Sequence, residues 1–327
     1  MEKVGKKLAV LVGCNYENTP YRLHGCHNDV LAMRDVLVNR FGFDSQHIEL
    51  LMDKSGSPVM PTGINIKKAL NKMVDEAEQG DVLYFHFSGH GTLTGKKNQE
   101  EAIIPFDFNY ITNVDIRKIV NRVPQGATFT ILSDSCHSGG LIDKEKEQIG
   151  PSHHKPKNQE LEKNSNNYVS VPNKSESASK SYYSKSKFIP HETILEHLTS
   201  LTNINTLNIG THMLQLFGND ASVMFSLPQL ELDLLKPLKQ DEGILLSGCQ
   251  ANEECQDVGG IENENKAYGA FSHAILIVLE KNCDPISYKE LVMKCRYVLE
   301  NDEHIKTQHP CLYCSDENAQ ALFLSQG

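Results

Sequence analysis

DVLYFHFSGHG, residues 81–91, is an apolar run of strand-forming residues that ends in a serine and in two glycines around a histidine. Two similar runs lie on either side of it in the chain, KLAVLVGCN at 7–15 and ATFTILSDSC at 127–136. Continuous apolar runs of this length are typical of strands buried on both faces of a parallel sheet. In open α/β sheets, binding sites form beyond the carboxyl ends of the strands. The three polar strand ends are therefore where we expect the chemistry.

Segments with apolar residues at helical spacing separate these strands, at 28–40, 62–80 and 114–123. Asn28 and Thr62 are predicted to cap the first two helices. Strands that alternate with helices predict an α/β fold, with a mostly parallel central sheet and helices on both faces. The remaining predicted elements are helices at 192–204, 267–281 and 287–301, a buried strand at 243–250, and short final strands at 310–314 and 321–325.

Residues 144–187 interrupt this pattern. They carry nine lysines and nine serines and show almost no apolar periodicity. Such a segment buries too little surface to offset the entropy lost on ordering. We therefore predict a large catalytic portion at 1–143, an exposed and disordered linker at 144–187, and a small portion at 188–327 that completes the same sheet.

Composition limits the partners and the compartment. A net charge of −10 argues against a nucleic-acid-binding protein, which usually carries a basic face. The apolar run at 8–13 is at the low edge for a signal peptide, and no cleavage site of small residues follows it. No stretch approaches the roughly 20 apolar residues needed to span a bilayer. We expect synthesis in the cytoplasm, with the nucleus or the extracellular space after release as alternatives, and no membrane partner.

The nine cysteines are odd in number and scattered along the chain, which suits reduced thiols better than a disulfide framework. The pair in CLYC, residues 311–314, has the spacing of a zinc half-site. A structural zinc ion prefers four ligands, and no second pair of this spacing accompanies the first. We therefore predict buried strand cysteines at these positions and no metal cofactor.

One cysteine and one histidine follow neighbouring predicted strands and can form an activated thiol, in which the imidazole removes the thiol proton. Cys136 ends the strand at 127–136. His86 lies within its strand and is predicted to be a core residue. His137 is adjacent to Cys136, and adjacent side chains in an extended segment point to opposite faces. His90, between two glycines at a strand end, is therefore the predicted base.

The same strand ends supply backbone donors. Glycine at position 91 leaves a bare N–H group next to His90. Together with the backbone N–H of Cys136, the Gly91 N–H is predicted to form an oxyanion hole, in which each donor lowers the barrier by about 3 kcal/mol.

YFHFSGHG followed by SDSCHSGG resembles the metacaspases, in the caspase-haemoglobinase clan of cysteine proteases. The stretches LAVLVGCNY, LHGCHNDV, PTGINIKKAL, GGLIDKEKEQIGPS, SGCQANE and KAYGAFS resemble the plant type II metacaspases, and the short linker resembles the metacaspase-9 subgroup. The resemblance covers nearly the whole chain outside the linker. It implies a caspase-like fold and a cysteine endopeptidase with Cys136 as nucleophile and His90 as base, with a role in plant cell death or stress proteolysis.

The resemblance further implies cleavage after Arg or Lys. The matching pocket residues are Asp29, with Cys26 beside it, together with Asp134 and Ser88. Two partly desolvated carboxylates favour a cationic side chain, and arginine can pair with a carboxylate in bidentate fashion. Asp29 also suits the acid that often begins a helix. Asp134 has no comparable structural explanation, because an aspartate that ends a buried strand needs a partner.

Members of the family are made as zymogens that are cut between the large and small portions. The linker here is rich in lysine, so it suits the enzyme's own specificity. Lys187 is the best-matched cleavage position, and Lys185 is the alternative. We expect a monomer whose two fragments stay associated after cleavage, acting on protein and peptide substrates.

Calcium is where this sequence departs from many relatives. Calcium-dependent metacaspases supply a cluster of aspartates, and calcium prefers six to eight oxygen ligands with several carboxylates. At the matching positions this chain has Glu100, Asn113 and Asp143, which amounts to a degenerate site. We expect calcium-independent activation, and the subgroup resemblance implies mildly acidic working conditions with histidine protonation as the switch.

Two other interpretations remain open. A legumain-like protease would cleave after asparagine and would not need the acidic pocket pair. A non-catalytic scaffold on the same fold would usually have lost the cysteine or the histidine, and both are present here. Peptides with different residues at the cleavage position distinguish the first alternative, and a Cys136→Ala variant distinguishes the second.

Overall fold

The computed structural model describes residues 5–94, 100–142, 146–150, 182–227, 243–260, 263–305 and 307–325. Its strands are β1 (Lys7–Gly13), β2 (Ile48–Met52), β3 (Val82–Ser88), β4 (Gly91–Thr94), β5 (Glu100–Ile103), β6 (Ile111–Thr112), β7 (Thr128–Asp134), β8 (Glu147–Ile149), β9 (Tyr182–Ser186), β10 (Ile244–Ser247), β11 (Gln256–Gly260), β12 (Asn263–Gly269) and β13 (Cys311–Tyr313). Its α-helices are α1 (Cys26–Asn39), α2 (Gly63–Asp75), α3 (Asn113–Val120), α4 (His191–Thr202), α5 (Ile209–Phe217), α6 (Val223–Ser226), α7 (Ala270–Lys281), α8 (Tyr288–Glu300) and α9 (Asp316–Gln320).

Seven strands form the central sheet, in the spatial order β2-β1-β3-β7-β10-β13-β8. The five strands from β2 to β10 run parallel, while β13 and β8 are antiparallel to their neighbours. The predicted α/β fold with a mostly parallel sheet is confirmed. Strand β10 of the predicted small portion pairs with β7 of the large portion, with Leu246 opposite Leu132. The two portions therefore share one sheet, as predicted.

Apolar residues pack on both faces of this sheet. Neighbouring residues of β1 point to opposite faces, so Val10 belongs to one buried cluster and Leu11 to the other. The first cluster takes in Leu70 of α2, and the second takes in Phe271 of α7. Burial on both faces explains why the central strands read as continuous apolar runs rather than as alternating ones.

The helix ends differ in part from prediction. Thr62 caps α2 as expected, because its hydroxyl oxygen accepts the Asn65 N–H at 3.3 Å, but the helix ends at Asp75 rather than near residue 80. Helix α1 begins at Cys26, and the predicted cap Asn28 lies within its first turn. The prediction of Asn28 as cap is wrong because two side chains outside the helix bind the N–H groups at its start. The Asp257 carboxylate accepts the Gly25 N–H at 2.8 Å, and Asn15 Oδ1 accepts the Cys26 N–H at 3.0 Å.

Two strands lie within the segment that was predicted to be disordered, β8 and β9, while residues 151–181 are outside the described part of the chain. Strand β9 pairs antiparallel with β11 in a second sheet of order β12-β11-β9. Its backbone groups are satisfied by a strand edge, so this lysine-rich stretch is ordered without an apolar core of its own.

Further differences concern short elements. A third sheet, of order β4-β5-β6, was not predicted. Residues 267–269 end β12 instead of opening α7. The predicted final strand at 321–325 is wrong: Leu322 makes one isolated bridge to Ser287, and Leu324 has a positive φ of 53°, which no extended strand adopts. The helices in the described ranges include none long and apolar enough to cross a membrane.

Candidate active site

The predicted site residues meet at the carboxyl edge of the central sheet. Gly13 of β1 lies beside Ser88 of β3, which lies beside Asp134 of β7. His90 lies two residues after Ser88, and Cys136 lies two residues after Asp134. Parallel pairing thus places the three strand ends named by the sequence next to one another, as the alternation of strands and helices requires.

His90 is held by backbone and phenol groups. Its Nε2 lies 2.7 Å from the carbonyl oxygen of Tyr21, and since a carbonyl only accepts, Nε2 carries the proton. The Tyr16 hydroxyl accepts the His90 N–H at 2.9 Å, and the two rings are 4.8 Å apart. The Nδ1 atom is buried and makes no hydrogen bond within the described residues. The imidazole is therefore a fixed tautomer with its basic nitrogen free.

Burial lowers the pKa of His90 to about 4, although the carbonyls of Tyr21 and Lys187 and the charge of Cys136 oppose this shift. His90 is thus neutral, and able to accept a proton, in mildly acidic as well as neutral solution.

The Cys136 sulfur is buried and accepts the Cys255 N–H at 3.0 Å. Burial by itself raises the pKa of this thiol. Hydrogen bonds from the thiols of Cys249 and Cys255 and from the Cys255 N–H, together with the charge of His137, outweigh burial and lower the pKa well below its usual value. The described contacts include no hydrogen bond between Cys136 and His90.

The side chain of Lys187 fills a pocket between the acids at the strand ends. It is fully buried, and its Nζ lies 3.1 Å from Asp134 Oδ1 and 3.7 Å from Asp29 Oδ2. Its Nζ also donates to the Ser88 hydroxyl at 3.0 Å and to the Asp134 carbonyl at 3.1 Å. The three polar residues predicted to line a pocket for a basic side chain thus surround one. Cys26 is buried in the same region, and its backbone N–H donates to Asn15 Oδ1 at 3.0 Å.

The pocket carboxylates are held in turn by the backbone. Asp134 Oδ2 accepts the Ser272 N–H at 2.8 Å. Asp29 accepts the Gly269 N–H on both oxygens, at 2.9 and 3.0 Å, and the Ser88 hydroxyl at 2.7 Å. Both backbone donors lie at the start of α7, so the unpaired N–H groups of a helix N-terminus fix the two acids.

These contacts set the charges in the pocket. Burial raises the pKa of Asp29 and the Asp134 charge adds to this shift, while Lys187 and the hydrogen bonds from Ser88 and Gly269 oppose it, and the resulting pKa is about 8. Burial also acts against a charged lysine, but Asp134, Cys26, Asp29 and Asp257 outweigh it and hold the pKa of Lys187 well above its usual value. The pocket keeps a cation charged at every physiological pH.

The backbone of Lys187 lies between Gly91, which follows His90, and Cys255, which contacts the Cys136 sulfur. Its carbonyl oxygen accepts the Gly91 N–H at 2.9 Å, and its N–H donates to the Cys255 carbonyl at 2.9 Å. The Ile189 N–H donates to the Gly91 carbonyl at 3.2 Å. The second predicted oxyanion donor, the Cys136 N–H, makes no hydrogen bond to the Lys187 carbonyl in the described structure. Lys185 lies outside the pocket, where its Nζ donates to the Arg22 carbonyl at 2.7 Å.

Residues 7–145 match the family model described as metacaspase, peptidase C14 domain. The chain is 52% identical to Metacaspase-9 of Arabidopsis thaliana, over 99% of this chain and 98% of that protein. The chain belongs to the metacaspase family. It is also 35% identical to Metacaspase-6 of the same plant, over 97% of this chain and 99% of that protein. The predicted resemblance to the metacaspases, and to the metacaspase-9 subgroup, is confirmed.

This metacaspase is therefore a cysteine peptidase with a caspase-like fold. A crystal structure of a Geobacter sulfurreducens protein is similar to it with a TM-score of 0.59 at 16% identity, over 98% of this chain and 99% of that one. A likeness at this identity concerns the fold alone.

Gly269 and Asp257 are among the residues of the metacaspase site that were not identified from the sequence. A Cβ atom on Gly269 would lie 2.2 Å from Lys187 Nζ and 2.3 Å from Asp134 Oδ2, so only glycine leaves room for the bound side chain. The Asp257 carboxylate accepts the N–H groups of His24 and Gly25 and thereby positions the start of α1, which carries Asp29. Gly269 is the glycine of KAYGAFS, and its place near the start of a predicted helix was a signal that could have identified it. No feature of the sequence pointed to Asp257.

The positions of the degenerate calcium site are partly visible. The Asn113 side-chain amide donates to Glu100 Oε2, and Glu101 Oε2 accepts the Gly140 N–H at 2.5 Å. Asp143 lies outside the described residues. Because Asn113 turns an amide nitrogen toward Glu100, these two positions offer one carboxylate between them. Calcium prefers several carboxylates, so the described residues do not fit it well.

Proposed function

We propose that this metacaspase is an endopeptidase that cleaves the peptide bond after lysine or arginine, with Cys136 as nucleophile and His90 as general base and acid. The observation that carries the proposal is the placement of Lys187. Its ammonium group lies between two buried carboxylates while its own carbonyl accepts the Gly91 N–H. A substrate with a basic side chain would bring its scissile carbonyl to the same position.

The proposed reaction follows from these contacts. The Cys136 sulfur attacks the scissile carbonyl carbon, and the carbonyl oxygen becomes an oxyanion that the Gly91 N–H stabilises. The leaving amine takes a proton from the imidazole, which had removed it from the Cys136 thiol, and a thioester remains. Water then attacks the thioester, with Nδ1 of His90 accepting its proton, and releases the acid and the free thiol. The Tyr21 carbonyl keeps Nε2 protonated, so Nδ1 is the atom that exchanges protons.

We further propose that the chain is a zymogen that cuts itself after Lys187, between a large portion at 1–143 and a small portion at 188–327. Strand β9 leads Lys187 into the pocket by pairing antiparallel with β11, as a bound peptide does when it adds a strand to a sheet edge. Lys185 is two residues earlier, and its bond to the Arg22 carbonyl keeps it away from the acids. The linker at 144–187 thus ends in an ordered strand.

Calcium independence and activity at mildly acidic pH are part of the proposal. The amide of Asn113 facing Glu100 supports the first. The lowered pKa of His90, about 4, supports the second, because the base stays unprotonated there, so protonation of His90 is not the expected switch. We extend the proposal by similarity to a monomeric protein made in the cytoplasm, acting in plant cell death or stress proteolysis, with the nucleus or extracellular space as later locations.

Self-cleavage is tested with four variants: Cys136→Ala, Lys187→Met, Lys187→Arg and Lys185→Met. We expect the first two to stay uncut, and the last two to be cut like the wild type. Fragment masses and N-terminal sequencing are the readout, with a new terminus at Phe188. Equal processing of wild type and Cys136→Ala would instead favour the non-catalytic scaffold and cleavage by another protease.

Substrate specificity is tested with matched peptides that carry Lys, Arg, Asn or Asp at the cleavage position, from pH 5 to 8, with calcium or a chelator. We expect hydrolysis of the Lys and Arg peptides alone and no effect of the chelator. Asp29→Asn and Asp134→Asn are expected to lower kcat/KM for these peptides by at least tenfold, since a desolvated ion pair contributes about 1.5–3 kcal/mol. Cleavage of the Asn peptide would support the legumain-like alternative.

A further inference from the structure

Three thiols lie together beside the backbone of Lys187, whose N–H donates to the Cys255 carbonyl at 2.9 Å. The sulfur atoms of Cys136, Cys249 and Cys255 are all within 4.8 Å of one another, and all three residues are buried. No disulfide links them in the described structure. Among the described groups of metal-ligating side chains, this is the one whose atoms converge closely enough to bind one ion. The proposed proteolytic mechanism uses Cys136 as the nucleophile and gives Cys249 and Cys255 no part in making or breaking bonds.

The elements that carry the three cysteines are fixed independently. Cys136 follows β7 and Cys249 follows β10, two strands paired in parallel with Ser133 beside Ser247. Cys255 precedes β11, and its N–H donates to the Cys136 sulfur at 3.0 Å. An N–H group donating to a sulfur is the kind of outer contact that orients a metal-bound thiolate. The sulfurs therefore converge because two sheets meet here, without depending on one mobile loop.

The chemistry of the cluster selects the ion. Three sulfur ligands are soft and favour Cu(I) or zinc over calcium or magnesium. In trigonal planar coordination with three metal–sulfur bonds of about 2.3 Å, the sulfur atoms are about 4 Å apart. The present sulfur–sulfur distances, at most 4.8 Å, therefore need to shorten by less than about 1 Å. Zinc requires a fourth ligand, and the cluster has no fourth cysteine, histidine or acid within this distance in the described residues. Three sulfurs without a fourth protein ligand match Cu(I) best.

We propose that Cys136, Cys249 and Cys255 form a trigonal three-thiolate site for a thiophilic metal ion, with Cu(I) as the preferred ion. Each cysteine contributes its sulfur as a thiolate, so binding releases the thiol protons present. The hydrogen bonds of the Cys255 thiol to the Ser135 carbonyl and of the Cys249 thiol to the Glu253 carbonyl are given up on binding. The Cys255 N–H contact to the Cys136 sulfur can persist.

Access to the site depends on the segment after Lys187. Phe188 packs against the three cysteines, and its ring lies 4.8 Å from that of His137. In the uncut chain the Phe188 side chain thus covers the cluster. Displacement of the Phe188 side chain after the proposed cleavage would open a path to the sulfurs, so the cut protein is expected to take up the ion faster than the uncut one.

Metal binding would also silence the proposed protease, because a sulfur bonded to the ion cannot attack a carbonyl carbon. This consequence rests on the proposed role of Cys136 as nucleophile. The binding site itself does not, since it requires only the position of the three sulfurs. Loss of copper binding and loss of peptidase function can therefore be told apart.

The test is a Cu(I) titration of the full-length protein under reducing, oxygen-free conditions, in competition with a chromogenic Cu(I) chelator. Wild type, Cys249→Ser, Cys255→Ser and Cys295→Ser are compared. Cys295 is the matched control, because it is equally buried but lies in α8, outside the cluster. We expect one tightly bound ion in wild type and Cys295→Ser, and an affinity at least about tenfold lower in each of the other two.

X-ray absorption of the one-to-one wild-type complex gives a readout that needs no variant, in case a serine disturbs folding. The expected copper shell contains three sulfur atoms. A shell with nitrogen or with fewer than three sulfurs, or equal Cu(I) affinity in all four proteins, would overturn the proposal. A parallel zinc titration is expected to give weaker binding; zinc bound more tightly than Cu(I) would overturn the preference for a trigonal site.

Discussion

At the scale of single residues, the pocket is assembled from charges that would be costly apart. Asp29, Asp134 and Lys187 are all buried, and an isolated buried charge costs several kcal/mol. Together they satisfy one another, and backbone N–H groups bind the remaining carboxylate oxygens of Asp29 and Asp134. If the proposed cleavage releases Lys187, the carboxyl groups of Asp29 and Asp134 remain without their cation. We therefore expect the emptied pocket to attract and bind another basic side chain electrostatically.

Gly269→Ala tests how tightly the pocket is built. A Cβ atom at this position would lie 2.2 Å from the ammonium of the bound lysine, so we expect the side chain to be excluded. The expected result is at least a tenfold fall in kcat/KM for Lys and Arg peptides, carried mainly by KM, and slower self-cleavage. Ala270→Gly, the next residue along, is the control and should keep the specificity. Unchanged hydrolysis by Gly269→Ala would show that the pocket is wider than the contacts indicate.

His86→Gln tests the charge state of the core beneath the pocket. Burial lowers the pKa of His86 to about 3, and its Nε2 lies 3.1 Å from the Ser272 hydroxyl. Between its ordinary value near 6.5 and about 3, the unfolded chain binds a proton that the folded chain does not, so stability falls as pH falls. In the variant, the free energy of unfolding should depend less steeply on pH in this range, by about 1.4 kcal/mol per pH unit.

The measurement for His86 is chemical denaturation at a series of pH values from 7 to 4. Exposed His47, replaced by Gln, is the matched control and should leave the slope as in the wild type. Parallel curves for the wild type and His86→Gln would mean that His86 titrates alike in the folded and unfolded chains.

At the scale of elements, the sequence predicts those strands whose order comes from burial. Strands β1, β3 and β7 are apolar runs, and their ends carry His90, Cys136 and Asp134 to one edge. Strand β9 was missed because its order comes from backbone pairing with β11, which leaves no apolar signature. The start of α1 was misplaced for a related reason, since the N–H of its first flanking residue, Gly25, is bound by the carboxylate of Asp257, far away in the chain. Local patterns do not record such long-range hydrogen bonds.

Asp257→Ala tests this link between elements. The carboxylate accepts two backbone N–H groups where β11 meets the start of α1, and removing it leaves these donors unpaired. Each unpaired buried donor costs about 1–3 kcal/mol, and water that reaches the two donors reduces this cost. We therefore expect the free energy of unfolding to fall by about 2–4 kcal/mol. Because α1 carries Asp29, KM for basic peptides should rise more than kcat falls. Asp284→Ala, at an exposed position, is the control for both measurements.

At the scale of the whole molecule, one sheet spans both proposed fragments. Strand β10 lies between β7 on one side and β13 on the other, and its four residues are all buried. The pocket is divided in the same way: Asp29 and Asp134 precede the proposed cut, while Gly269 and Ser272, which hold them, follow it. A fragment alone would expose a long apolar strand edge and an incomplete pocket.

We therefore expect the two fragments to remain together after cleavage. Size-exclusion chromatography and native mass spectrometry of the cut protein should give one particle with the mass of the intact chain, and separation should require denaturant. Peptidase activity should disappear together with that particle. Elution of active large fragment on its own would contradict both the shared sheet and the shared pocket.

The pairing of β9 with β11 also determines the kinetics of the proposed activation. A lysine already seated on the same chain is present at an effective concentration that no free substrate matches. Self-cleavage within one molecule is then a first-order process, whose half-time does not change when the protein is diluted. Other proteins, by contrast, can enter the pocket only after the Lys187 side chain has left it. On this proposal, the delay before the protein cleaves other proteins is set by the geometry of the single chain and is independent of how much of the protein a cell has made.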